Sequence, residues 1–74
     1  MNDKLVSILA DVFDIDRSQI CPTLTRADID AWDSLRQMEL VVRIEKEFQI
    51  KLTIKEIMSL SSVGSISRII EDKL

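Results

Sequence analysis

The chemistry open to this 74-residue chain centres on one hydroxyl. Ser34 follows Asp33 and a long polar stretch, and it opens a segment that predicts a helix running to about Phe48. A serine there stands in the first turn of a helix, where free backbone N–H groups and the positive end of the helix dipole favour an anion. A phosphate ester on that hydroxyl would sit in a stabilising field. The bland alternative is that Asp33 and Ser34 merely cap the helix, a task that suits both residue types. Little else competes as a reactive group. The chain has no His, so the commonest general base and the commonest metal ligand are both missing. A Ser-His-Asp hydrolase, a Cys-His protease and a His-ligated zinc site are thereby excluded. Cys21 is the single cysteine; it cannot form an internal disulfide, and beside Pro22 it reads as a small buried apolar residue rather than a reactive thiol. Asp14-x-Asp16 hints at a calcium loop, but the Gly and the closing Glu are not at the required spacing, so a solvated acidic loop is the better account and no metal is expected.

The elements that must position Ser34 follow from hydrophobic spacing. Leu5, Ile8, Leu9, Val12 and Phe13 repeat with a helical period and predict a first helix from about Asp3 to Phe13, capped by Asn2 or Asp3. Between Asp14 and Asp33 that period fails, and Pro22 with Thr, Ser and Asp marks a long connection. Twenty residues without regular structure need a function or their own packing; Ile15, Ile20, Leu24, Ile29 and Trp32 are spaced to pin the segment down. Trp32 reads as an anchor of the loop onto the bundle rather than a contact for a ligand. The second helix is predicted from Ser34 to about Phe48 with Asp33 as N-cap. Its inward stripe is expected to be Met38, Val41, Ile44 (or the apolar stem of Glu45) and Phe48, with Leu40 beside it, so Phe48→Ala should cost roughly 3–5 kcal/mol. Phe48 to Lys55 alternates like a strand but has nothing to pair with, so an extended loop with Ile50 and Leu52 inward is expected. Thr53-Ile-Lys-Glu56 spells a capping box opening a short helix to about Leu60, and Ser62 caps a last helix striped by Val63, Ile66, Ile69 and Ile70. The expected fold is all-α, a small four-helix bundle of three longer helices and one short one, with a long loop between helices one and two.

Composition sets the limits. A chain of this length makes one domain, residues 1–74, with a thin core and little room for a deep catalytic pocket. Its net charge of −3 argues against nucleic acid as a partner. No apolar run is long enough to span a membrane, and the N-terminus lacks the layout of a signal peptide. A cytoplasmic monomer beginning at Met1 is the expectation. The charge is uneven: residues 1–33 carry seven Asp against three bases, while residues 34–74 carry seven bases against six acids, all but one of them Glu. Asp favours caps and turns while Glu tolerates helix interiors, which agrees with a loop-rich first half.

Asp33-Ser34-Leu35-x-x-Met38-Glu39-Leu40, then Ile44-Glu45-x-x-Phe48-x-Ile50-x-Leu52, then Ser62-Val63-Gly64-Ser65-Ile66 resembles the acyl carrier protein family. The resemblance covers the whole chain. It implies that Ser34 receives 4'-phosphopantetheine from coenzyme A, with Asp33 beside it helping to present it to the phosphopantetheinyl transferase. It further implies that the thiol of the arm holds an acyl, aminoacyl or polyketide chain as a thioester for loading and biosynthetic enzymes. The protein is then a carrier, not an enzyme, which accounts for the missing catalytic equipment. The competing class is a helical interaction module with the same fold and no prosthetic group. Trp32 stands where better-known members have Gly, and the second helix balances its charges, so the chain looks more like a discrete carrier of a specialised pathway (polyketide, nonribosomal peptide or cell-envelope modification) than the housekeeping fatty acid carrier.

A second stripe on that helix, Leu35, Glu39, Val42 and Lys46, begins beside Ser34 and is offset from the expected core stripe. Its apolar members flanking a charge suit docking to a partner's groove, and the family resemblance also makes this helix the recognition surface. Arg36 and Arg43 border the stripe and imply a partner face of mixed or partly acidic charge. Reversing those two charges is expected to slow the partner while leaving the fold intact.

Overall fold

The computed structural model describes residues 2–74; Met1, the expected start of the chain, lies outside them. Asn2 provides the first cap, its side chain accepting from the N–H groups of Lys4 and Leu5, and α1 follows over Asp3–Phe13. Helix α2 spans Ser34–Phe48, α3 Ile54–Met58 and α4 Val63–Lys73. Thr53 and Glu56 form the expected capping box, and Ser62 accepts from Ser65 N–H at the head of α4. Helix α3 ends two residues earlier than its spacing suggests. Lacking a glycine at either site, α1 and α2 both end on a non-glycine residue in the left-handed conformation, Asp14 with φ 55° and Gln49 with φ 54°. No strand forms among the described residues; a single antiparallel bridge joins Thr25 to Ser62.

The long connection is packed rather than loose. It contains two 3-10 turns, Arg17–Gln19 and Arg26–Asp28. Ile29 and Trp32 are buried, and Ile15, Ile20 and Leu24 lie half-buried against the core. Its backbone is laced to the α3–α4 link: Arg26 N–H donates to Ser61 O at 3.0 Å, Val63 N–H to Leu24 O at 2.9 Å and Gly64 N–H to Pro22 O at 2.9 Å. A Cβ on Gly64 would lie 2.9 Å from that same Pro22 oxygen, so the close approach requires glycine.

The core joins Leu5, Ile8, Leu9, Val12 and Phe13 of α1 to Leu40, Val41 and Ile44 of α2 and to Leu60, Val63, Ile66 and Ile70. Two expectations fail on α2. Met38 is 51% exposed, and the inward position one residue earlier belongs to Gln37, 8% exposed. The buried stripe is thus Gln37, Leu40, Val41 and Ile44, with Phe48 only half-buried at its edge. A polar residue at the head of the stripe disguised the phase of the helix. Removing the Phe48 ring consequently costs less than truncating a fully buried aromatic. Cys21 is also corrected: it is exposed, its Sγ 3.4 Å from Thr23 Oγ1.

Candidate functional site

The site forms where the packed loop delivers the chain to the head of α2. Trp32 fixes the delivery. It is buried, stacks on Phe13 with ring centroids 5.0 Å apart, and its indole Nε1–H donates to Gln37 Oε1. Arg26 Nε donates to the Trp32 carbonyl at 3.2 Å. The anchoring expected of Trp32 is therefore present.

Asp33 is the N-cap. Its carboxylate accepts from Arg36 N–H at 2.8 Å, and its carbonyl from Gln37 N–H at 2.9 Å. Asp33 caps the helix without help from Ser34, which is exposed. Among the described residues nothing bonds its hydroxyl, and the N–H groups of Ser34 and Leu35 find no acceptor. This separation frees Ser34 from the cap. Had Ser34 capped the helix, its oxygen would be committed to the backbone. Instead a free hydroxyl stands beside two open N–H donors at the positive end of a 15-residue helix, the donor set that a phosphodiester needs. These residues fit a phosphopantetheine arm.

A groove of about 320 Å³ opens beside Ser34, lined by Arg26, Gln37, Met38, Ile57 and Met58 as well as Ser34 itself. Of these lining residues the sequence reading placed only Ser34 at the site. Spacing alone puts Met38 inward and gives Arg26, Gln37, Ile57 and Met58 no role there. Their signal was weak: α3 is a single short helix whose outward side, Ile54 and Met58, is as apolar as a core face.

The stripe offered for docking is exposed. Leu35 is 76% and Val42 60% exposed, and Met38 joins them to make an apolar strip down α2. Glu39 and Lys46 are exposed beside it. Arg36 and Arg43 are another matter. Arg36 donates to the Val12 carbonyl at 3.1 Å and lies 3.5 Å from Glu39, and Arg43 pairs with Asp11. Both tie α2 to α1, so their reversal is not structurally neutral as expected.

Two carboxyls near the ends of elements are shifted. Backbone and hydroxyl hydrogen bonds from Thr25 hold Asp28 below its ordinary value. The Thr53 N–H, followed by Lys73, does the same for Glu56. Each shift belongs to a local cap and neither touches Ser34. No cluster of metal-ligating side chains occurs among the described residues, and no helix is long and apolar enough to cross a membrane.

Comparison with known proteins agrees with this geometry. The family described as "Phosphopantetheine attachment site" matches residues 3–70. The polyketide-8 synthase acyl carrier protein 2 of Streptomyces avermitilis is 32% identical over 73 residues, covering 97% of this chain and 83% of that one. The acyl carrier protein of Thermotoga maritima is 34% identical over 71 residues, covering 96% and 88%. Among solved structures, the solution structure of the holo acyl carrier protein from Geobacter metallireducens superposes with a TM-score of 0.85 at 37% identity, covering 96% of this chain and 82% of that one. A serine with an uncommitted hydroxyl at the head of a capped helix, on a chain with no His, is compatible with a carrier of a covalent arm, and this chain belongs to the acyl carrier protein family, carriers rather than enzymes.

Proposed function

We propose that Ser34 is the residue that carries the 4'-phosphopantetheine arm. The observation behind this reading is the division of labour between neighbours: Asp33 caps α2, which leaves the exposed Ser34 hydroxyl uncommitted. Attachment forms a bond from Ser34 Oγ to phosphorus and breaks the pyrophosphate linkage of coenzyme A; the serine proton is lost and the adenosine bisphosphate leaves. The phosphopantetheinyl transferase supplies the base, because the chain has no His and nothing bonds the hydroxyl. Once attached, the arm offers a terminal thiol that holds acyl groups as thioesters. The protein's own residues would position it: the open N–H groups of Ser34 and Leu35 are available to donate to its phosphodiester, and Trp32 keeps the attachment point fixed on the bundle.

Leu35, Val42 and Met38, with Glu39 and Lys46 beside them, form the face that biosynthetic enzymes read. Support comes from the exposure of three large apolar side chains in a strip that begins at the attachment residue. We assign the protein to the cytoplasm, as a monomer, and residues 1–74 to a single carrier domain.

Incubation with coenzyme A and a broad-specificity phosphopantetheinyl transferase, followed by intact-mass measurement, tests the assignment. The parent is expected to gain one phosphopantetheine and Ser34→Ala none. A parent that gains nothing is an unmodified helical module, and a gain that survives in Ser34→Ala moves the attachment elsewhere.

A further inference from the structure

An acyl group tethered at Ser34 has two places to rest, the surface groove or the apolar core, and the nearly buried Gln37 amide lines that groove. The inference rests on Ser34 carrying the arm. The groove holds about 320 Å³, at the small end of the roughly 300–1,000 Å³ typical of ligand pockets. Met38 and Met58 stand exposed at its sides. Gln37, nearly buried, is part of its lining. That side chain is committed at both ends: its oxygen accepts from Trp32 Nε1–H, and its nitrogen donates to the Ile57 carbonyl at 2.8 Å. Leu40, Ile44 and Leu60 lie in the core, at most 2% exposed.

An alkyl chain passing from Ser34 into that core has to push the amide aside. Doing so strands an indole N–H, a backbone carbonyl and the amide in an apolar setting, which costs more than a made hydrogen bond contributes. The same tie spans α2, α3 and the loop, the parts that would have to separate. We propose that Gln37 sets the class of cargo, closing the bundle so that the carrier holds short or polar acyl groups in the Met38–Met58 groove and keeps long alkyl chains out of its core. The groove suits such cargo. Its two thioethers adapt to small shapes, and Arg26, held through Nε by the Trp32 carbonyl, presents the rest of its guanidinium to polar or anionic substituents.

The test uses the full chain loaded with acetyl-phosphopantetheine or octanoyl-phosphopantetheine, with intact mass reporting loading. The acetyl and octanoyl forms of the parent are expected to melt at the same temperature. Octanoyl should shift the methyl resonances of Met38 and Met58 while leaving those of Leu40, Ile44 and Leu60 in place. In Gln37→Met the octanoyl form should melt above the acetyl form and the core methyls should move. Trp32→Phe, which removes one hydrogen bond and keeps a ring against Phe13, should show the same trend if Gln37→Met does not fold. A higher melting temperature or shifted core methyls in the octanoylated parent overturns the proposal, as does a folded variant with no dependence on chain length. Failure to load appears as a missing mass gain and overturns the assignment of Ser34 together with this inference, whereas loading followed by shifted core methyls overturns the inference alone.

Discussion

Asp33 and Ser34 are adjacent, both polar and both exposed, yet they do separable work. The Asp33 carboxylate satisfies the N–H of Arg36, one of the donors that a helix start leaves without an internal partner. Asp33→Ala should therefore lose about 0.5–2 kcal/mol of stability. Ser34→Ala removes an oxygen that bonds nothing and should stay within about 0.5 kcal/mol of the parent. Denaturant midpoints for the two variants check this, and equal losses would mean that Ser34 shares the cap. The same logic applies to the docking face. Reversing Arg43 places a carboxylate opposite Asp11, and reversing Arg36 points one at the Val12 carbonyl and at Glu39. Slower loading in either variant would mix docking with a loosened α1–α2 contact. Leu35→Ser and Val42→Ser are cleaner probes, because those side chains are largely solvent-exposed. They should slow transfer by partner enzymes while leaving the thermal midpoint near that of the parent.

At the scale of elements, the contact of the loop with the head of α4 is the joint that sets the position of the site. Gly64 is where it is tightest. Alanine there would gain about 1 kcal/mol from helix propensity, but its Cβ meets a backbone oxygen at 2.9 Å, and that oxygen is held by the Gly64 N–H. Overpacking of this kind costs about 1–3 kcal/mol, so Gly64→Ala should be destabilising on balance in chemical unfolding; a stabilised variant would show that the loop can retreat freely. Neither this joint nor the packing of the loop is visible in the sequence beyond the five spaced apolar pegs, because pairings such as Val63 with Leu24 are made by backbone atoms that any residue supplies. Helices were legible where apolar spacing and caps agreed, as in α1 with Asn2 and α4 with Ser62. The phase of α2 was not, since Gln37 holds an inward position through hydrogen bonds to Trp32 and Ile57, partners that only the fold brings near. Met38 was consequently placed in the core although it borders the Ser34 groove. Cys21 failed for a similar reason: its residue type favours burial, whereas the turn around Pro22 leaves it in solvent.

For the molecule as a whole, a thin core makes the electrostatic ties between elements count. Lys73 near the end of α4 reaches Glu56 of α3 at 3.0 Å, while the Glu56 side chain also accepts from Thr53 N–H. In the long loop, Asp28 accepts from the N–H and hydroxyl of Thr25, beside the bridge to Ser62. Both carboxyls are held below their ordinary values by these partners. A carboxyl whose pKa is lower in the folded state than in the unfolded chain stabilises the fold while it stays ionised. That stabilisation is whole above the unfolded-state value and fades as the pH drops through the folded-state value. The melting temperature should thus hold steady from neutral pH down to about pH 4.5 and fall below it, as protonation breaks the two caps and leaves the chain's ten bases to repel one another. Glu56→Gln keeps the length of the side chain but not its charge. It should melt lower than the parent at neutral pH and lose less on acidification, so the two curves converge toward low pH. Parallel curves for parent and variant down to about pH 2 would show that Glu56 contributes no charge-dependent stability, and that the α3–α4 contact rests on packing alone.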